Sequence, residues 1–214
     1  MHSSVEILII GAGPAGLAAA SYCAQRRKSF VVVETGQRIE MRNHADTNHL
    51  AHGVGGSGLY SDGKFSFYPS ATNLWQLPDK KSLTEGYAWL CAHLSNFGMV
   101  TPEFPLHFND DGLSLKGIGN SDIKSKKYQS FYLSLGQRKQ LGEKLERACG
   151  TSLKTDVSVA KIQFEDKSRR FNCHLSSKTF ANQGTIECET IIFAGGRFGP
   201  IGLFSILPET PKRF

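Results

Sequence analysis

The chain has 214 residues, room for one large domain or two small ones. Hydrophobic residues make up 40% and charged residues 21%, and the 22 Gly follow no Gly-X-Y period, which excludes a disordered tail and a collagen-like fibre. The net charge of +6 lies wholly in residues 110–214, because residues 1–109 carry eight charges of each sign; so mild an excess suits an anionic ligand and does not by itself imply nucleic acid.

Val5-Glu6-Ile7-Leu8-Ile9-Ile10 is short and almost wholly apolar, the pattern of a central parallel strand buried on both faces. Gly11-Ala12-Gly13-Pro14-Ala15-Gly16 follows at once, then a helix over 17–27, Ala-rich and closed by a basic last turn. Phe30-Val31-Val32-Val33 predicts a second buried strand, ending at Glu34. In this order Gly11 permits the tight turn, Gly13 lets the backbone approach a pyrophosphate, and Gly16 lets helix pack on strand. The helix N-terminus offers unpaired amides to phosphates. Glu34, 18 residues after Gly16, can accept ribose hydroxyls and repel a 2′-phosphate. Residues 5–24 are apolar enough to suggest a leader, but no basic segment precedes them, and Glu6 and the Gly-Pro break interrupt them; they are read as structure retained in the mature protein. No run resembles a membrane span.

Residues 52–64, His-Gly-Val-Gly-Gly-Ser-Gly-Leu-Tyr-Ser-Asp-Gly-Lys, hold five Gly beside aromatic residues, which predicts a loop that touches a ligand rather than a solvated linker. The Gly-x-Gly-Pro-Ala-Gly opening resembles that of FAD enzymes of the glutathione-reductase-like superfamily, so FAD is preferred over NAD. Gly-Gly-Ser-Gly-Leu-Tyr-Ser-Asp-Gly-Lys-Phe resembles the Gly-Gly-x-Gly-x-x-Ser-Asp-Gly-Lys-Leu signature of poorly characterised bacterial FAD-dependent dehydrogenases, which carry both motifs. The resemblance implies that Gly55, Gly56, Ser57 and Gly58 line the flavin with Asp62 and Lys64 nearby; a local Asp62–Lys64 ion pair pinning the loop is an equal alternative. His49 stands seven residues before Gly56, as does the flavin-bonded His of succinate dehydrogenase and fumarate reductase flavoproteins; the surroundings do not match, His44 and His52 compete, and an ordinary loop His is the default.

Residues 69–133 read as an inserted cap contributing the substrate side. A helix is expected over 82–97, with Leu83, Tyr87, Leu90, Cys91, Leu94 and Phe97 on a core-facing stripe. Pro102, Pro105, Asn109-Asp110-Asp111-Gly112, Gly117 and Gly119 then break the chain, and Lys124, Lys126 and Lys127 read as a solvated turn. Tyr128, Phe131 and Tyr132 follow, too few beside those lysines to form an RNA platform.

A helix over 134–149, with Leu135, Leu141, Leu145 and Ala148 periodic, stops at Gly150. A parallel strand over 151–157 is expected next, then three short strands over 158–165, 169–175 and 184–189 with turns at 166–168 and 182–184. By resemblance this is the superfamily's meander, with Lys154 near the adenine and Val157 touching it by its backbone. Thr190-Ile191-Ile192-Phe193 reads as a further buried strand, and Ala194-Gly195-Gly196 as the turn passing beside FAD, with Gly195 where Thr is usual. Arg197 is an anion clamp or a surface residue, and Gly196-Arg197-Phe198-Gly199 departs at one position from the dehydrogenases' Gly-Arg-Ser-Gly. The superfamily closes its site with a later Gly-Asp strand; this sequence contains no Gly-Asp, and residues 208–214 read as an interruption. A fragment, half of a split protein and a shortened relative without redox chemistry are all open.

The fold expected is therefore α/β: a Rossmann-like FAD-binding parallel sheet (residues 1–68 and 134–214) with an antiparallel meander and an inserted α+β cap (69–133), the C-terminal part of the FAD fold missing. Cys23, Cys91, Cys149, Cys173 and Cys188 form no Cys-x-x-Cys, so they read as reduced core thiols of a cytoplasmic protein, with no metal site. The function expected is FAD-dependent hydride transfer through flavin N5, to or from a small molecule, with NAD(P)H as a possible transient reductant. Nucleic acid and membrane are not expected as partners. A non-catalytic FAD-binding module completed by a second polypeptide is the rival, and an RNA-modifying flavoprotein a third reading. His44, His49, His52 and Tyr60 are acid–base candidates by position only.

Overall fold

In a computed structural model the fold is described for residues 2–105, 113–114, 124–125, 127–177, 184–197 and 199–207. The elements are β1 (His2–Ile10), α1 (Pro14–Gln25), β2 (Phe30–Val33), α2 (Thr47–Ala51), β3 (Lys64–Ser66), α3 (Thr72–Trp75), α4 (Lys80–Ser95), β4 (Leu113–Ser114), β5 (Lys124–Ser125), β6 (Ser130–Tyr132), α5 (Leu135–Cys149), β7 (Leu153–Lys154), β8 (Val157–Glu165), β9 (Arg170–Ser177), β10 (Thr185–Phe193) and α6 (Gly199–Ile206). They form two compact units, residues 1–61 with 138–214, and residues 62–137. Residues 62–68 and 134–137, expected with the nucleotide fold, belong to the second unit, where β3 pairs with β6.

The first unit is α/β with a six-stranded sheet in the order β7-β2-β1-β10-β9-β8. β1 is central and parallel to both neighbours, with Ile7 opposite Phe30 on one side and Thr190 on the other. Leu8 and Ile9 are fully buried and all four residues of β2 are buried, as an apolar run covered on both faces requires. β8, β9 and β10 form the antiparallel meander. Its Val159, Ile162, Cys173, Ile186 and Cys188 pack with Leu8, Val31 and Val33 into one core. Arg170 of β9 straps the strands, donating to Glu189 of β10 (2.9 Å) and to the Val5 carbonyl of β1 (3.0 Å).

Four local expectations are corrected. The strands expected over 184–189 and 190–193 are one, β10, because no turn former separates Glu189 from Thr190. The strand expected over 151–157 shrinks to β7, because Gly150–Ser152 coils into a 3-10 turn and Asp156 takes φ +57°. α1 begins at Pro14, whose ring suits the first helical position, and ends at Gln25, so Arg26 and Arg27 lie just beyond it. Along α5 the buried face is Gly142, Leu145, Glu146 and Cys149, whereas Leu135 and Ala148 are exposed.

In the second unit, α4 starts at Asp79, whose carboxylate accepts the Ser82 amide (3.0 Å). Leu94 is buried, and Leu83, Tyr87, Leu90, Cys91 and Phe97 are half-buried, so the stripe is core. Edge-to-face rings of Phe67, Trp75, Tyr87, Phe104 and Phe131 complete it. Lys124, expected in a solvated turn, pairs within β5 against β4. Residues 109–112, Gly117, Gly119, Lys126, Asn182, Gln183, Phe198 and the segment 208–214 lie outside the described residues. All five Cys are free thiols, four of them buried. Among the described residues, no helix is long and apolar enough to cross a membrane, and no group of His, Cys, Asp and Glu could hold a metal ion.

Candidate functional site

The loop between β1 and α1 is built by glycines with different constraints. Gly11, at φ +99°, would place a Cβ 2.4 Å from the Ala194 carbonyl oxygen. A Cβ on Gly16 would lie 1.9 Å from the Gly11 carbonyl oxygen. On Gly13 it would meet nothing nearer than Gly56 Cα at 3.9 Å. Protein atoms thus forbid two of the side chains, whereas at Gly13 a Cβ would make only an ordinary contact. Gly13 is the N-cap of α1 with no side-chain cap, Pro14 follows, and the first turn has no acidic residue. Among the described residues no acceptor takes the Ala15 or Gly16 amide, so the positive end of this helix stands unneutralised.

The second glycine loop docks on the first. Gly55 donates to the Ala12 carbonyl (2.8 Å), and a Cβ on Gly56 would lie 3.1 Å from Gly13 Cα. Gly53 donates to Glu34, Val54 to the Gln37 carbonyl (2.9 Å) and Gly56 to the Gly53 carbonyl (2.8 Å). The amides of 53–56 are therefore committed within the protein. Those of Ser57 and Gly58, opening the 3-10 turn Ser57–Tyr60, have no acceptor among the described residues.

Glu34, at the end of β2, is buried. Its Oε1 accepts from the Gly36 amide (2.9 Å), the Gly53 amide (3.1 Å) and the Thr35 hydroxyl (3.2 Å); among the described residues its Oε2 accepts only from the Ala12 amide (2.8 Å). The carboxylate expected to serve a ribose thus also braces both glycine loops, with lone-pair capacity left at Oε2. Val157 opens β8 and donates its amide to the Glu34 carbonyl (2.9 Å); the Lys154 carbonyl accepts the Glu34 amide (2.9 Å). Ala194 leaves β10 with its amide on the Ile10 carbonyl (2.8 Å), Gly195 presses on the Phe193 ring, and Gly196 takes φ +73° in open space. Arg197 is exposed. Every expected cofactor residue lies in the first unit. Except for Val157, they stand at or just beyond the C-terminal ends of β1, β2 and β10, or in the loop docked there. The chain crosses from β1 to β2 on one side of the sheet while β10 lies on the other, a switch point of the kind that forms ligand crevices.

Asp62 and Lys64 are not joined as an ion pair. Asp62 Oδ1 accepts the Lys64 amide (3.0 Å), and the Lys64 ammonium lies over the Tyr128 ring (5.0 Å). His49 Nδ1 accepts the Asn43 amide (3.0 Å), and its Nε2 lies 4.0 Å from Asp46. The Tyr60 hydroxyl donates to the Arg42 carbonyl (2.9 Å), His44 lies 6.3 Å from the Tyr60 ring, and His52 is exposed. Arg42 escaped the sequence reading. It is buried, its guanidinium reaches the carbonyls of His49, Leu50, Val54 and Gly56, and nothing in its sequence neighbours announces that burial.

Residues 9–76, about a third of the chain, match the family model of the NAD(P)-binding Rossmann-like domain. No curated protein matches the chain. Among solved structures, native and K252c-bound RebC-10x is 13% identical at TM-score 0.52, over 95% of this chain and 35% of that one. The substrate-free rebeccamycin biosynthetic enzyme is 14% identical at TM-score 0.51, over 95% and 35%. RebC with reduced flavin is 13% identical at TM-score 0.49, over 95% and 35%. At these identities the likeness is one of fold, and the chain spans about a third of the length of those proteins.

Proposed function

We propose that this chain is the FAD-binding part of a flavin-dependent oxidoreductase that moves hydride through flavin N5, to or from a small molecule. One observation carries the reading: Gly13 has room for a Cβ, with nothing nearer than Gly56 Cα at 3.9 Å, at an uncapped helix N-terminus; the Ser57 and Gly58 amides of the loop docked there have no acceptor among the described residues, and Glu34 follows the next strand. The family match to a dinucleotide-binding domain supports it. So does the fold shared with RebC-10x and the substrate-free rebeccamycin biosynthetic enzyme. The doubled glycine loop and its dehydrogenase-like signature favour FAD over NAD.

When bound, the flavin supplies the hydride chemistry. The chain's part is binding, orientation and charge. The Ala15 and Gly16 amides and the α1 dipole neutralise the diphosphate across Gly13. Glu34 Oε2 accepts a ribose hydroxyl and repels a 2′-phosphate. Val157 meets the adenine through its backbone, while Gly55–Gly58 and Ala194–Gly196 present low backbone to the rest of the cofactor. A transient nicotinamide or the substrate itself serves as reductant.

A second reading, a non-catalytic FAD module completed by another polypeptide, is favoured by β10. On the meander side, β9 pairs with β10 only as far as Cys188, and among the described residues no strand covers 189–193 there. That edge lies at the cofactor end and suits an added strand.

The test is the visible spectrum of the purified chain before and after acid precipitation. Flavin released to the supernatant supports noncovalent FAD. Flavin retained in the pellet shows a covalent flavin and promotes His49 as the candidate site, with His44 and His52 as its competitors. A folded chain that stays colourless with excess FAD overturns FAD binding by this chain alone and favours the second reading.

A further inference from the structure

Arg42 is 4% exposed, yet no carboxylate among the described residues pairs with it. All five of its N–H groups go to main-chain carbonyls. Nε and Nη2 share the His49 carbonyl, Nη2 also reaches Leu50 (3.5 Å), and Nη1 reaches Val54 (2.6 Å) and Gly56 (3.0 Å). Its guanidinium also lies over the Tyr60 ring (5.0 Å). A buried cation held by carbonyl dipoles and one ring, with no paired carboxylate, is costly unless an anion is supplied. Burial pulls Arg42 below the ordinary arginine range, while Tyr60 and Glu34 push it back up; a guanidinium stays charged throughout.

Glu34 is that nearby anion, but the two charges do not meet. Both approach Gly53, whose amide donates to Glu34 Oε1 (3.1 Å) and whose Cβ, were there one, would lie 2.8 Å from Arg42 Cδ. Gly53 holds φ +108°, and a side chain there would collide with Arg42 and with the Gln37 carbonyl oxygen (2.9 Å). Beyond Gly53 the braced carbonyls of Val54 and Gly56 set the turn that brings Gly56 onto Gly13 and leaves Ser57 and Gly58 their unpaired amides.

We infer that Arg42 is a positioning residue for the anionic ligand of this site: without touching it, Arg42 fixes the glycine loop and supplies the buried positive charge that a diphosphate balances. The inference rests on the reading above only in taking that anion to be part of FAD.

The experiment compares the full chain with R42K, which keeps the charge but not the fork, and R42Q, which keeps an amide donor but not the charge. FAD and inorganic pyrophosphate are titrated calorimetrically, and amide exchange is followed over 53–58. Both variants are expected to exchange faster at Gly53, Gly55 and Gly56 while β1 and β10 stay protected. Both ligands are expected to bind R42Q about tenfold or more weaker than R42K, since the charge is what they read. Equal weakening in the two variants, or none, overturns the inference. Should R42Q fail to fold, R42K decides: a loop as protected as in the wild type overturns it, and loop-confined loss supports it. A wild type that binds pyrophosphate but not FAD overturns the flavin reading and leaves Arg42 its role. A wild type that binds FAD, with R42K and R42Q equally weakened, does the reverse, and a wild type that binds neither ligand overturns both.

Discussion

Gly16 stands so close to Gly11 that an ideal Cβ on it falls 1.9 Å from the Gly11 carbonyl oxygen. The colliding atom is backbone, and Gly11 cannot retreat, because its own Cβ position is 2.4 Å from the Ala194 carbonyl oxygen. G16A must therefore push α1 off β1 and β10 together. The expected loss is about 3 kcal/mol or more, in the range of severe overpacking and strain. Urea denaturation of G16A against the wild type measures it, and near-equal midpoints would contradict the packing.

Gly13 is the opposite case. Its φ of −69° suits any L-residue, and the nearest atom to a Cβ is 3.9 Å away. G13A is expected to keep wild-type stability within about 1 kcal/mol. It should nevertheless lose FAD binding, because the methyl occupies the space given to the diphosphate. Parallel denaturation and FAD titration check this; a G13A protein that binds FAD normally would remove the phosphate from this loop.

The contrast between these glycines was legible in the sequence because strand, turn and helix are contiguous, and local sterics decide them. Phe30–Val33 was legible for the same reason: four apolar residues form a strand covered on both faces. The strand expected over 151–157 failed because left-handed Asp156 re-aims the chain. Arg42 was invisible because its partners lie seven to fourteen residues ahead, on carbonyls common to every residue type. The bracing role of Glu34 was hidden likewise, since Ala12 and Gly53 reach it through backbone amides.

That bracing makes E34Q informative. The Glu34 carboxylate accepts four hydrogen bonds and donates none. A Gln turns its amide NH2 toward amides that also donate, leaving at least one buried donor unmet at a cost of roughly 1–3 kcal/mol. Lost charge also lifts repulsion of a 2′-phosphate. E34Q should thus be less stable and discriminate less between ADP and its 2′-phosphorylated form. Denaturation and competition titrations read the two effects separately; unchanged discrimination would take Glu34 away from the ribose.

Cys149 gives the fold an alkaline limit. Burial raises its thiol to about 11, Glu146 adds to the rise, and Arg38 opposes it. The thiol ionises more readily in the unfolded chain, so its contribution is complete below the ordinary value of 9.0 and is lost as pH rises toward 11. Wild-type stability should fall more steeply than that of C149A across this window, by up to about 1.4 kcal/mol per pH unit. Parallel slopes in urea titrations would show that Cys149 is not buried as described.

Glu146 of α5 is 8% exposed, and Arg38, with its side chain 40% exposed, donates to it at 2.8 Å. The pair ties α5 to the segment leading toward Arg42, beside the contact of Gly142 with Ile39. Its two halves should not respond alike. R38M leaves an anion buried without its partner, which costs about 3 kcal/mol when burial is deep and less at this partly wet site. E146Q leaves a guanidinium that water already reaches, so the loss should be under about 1 kcal/mol. Adding E146Q to R38M should recover stability, because the stranded charge is gone. A double-mutant cycle by urea denaturation measures all three; equal losses in the single variants, or a double variant worse than R38M alone, would place Glu146 in water rather than under α5.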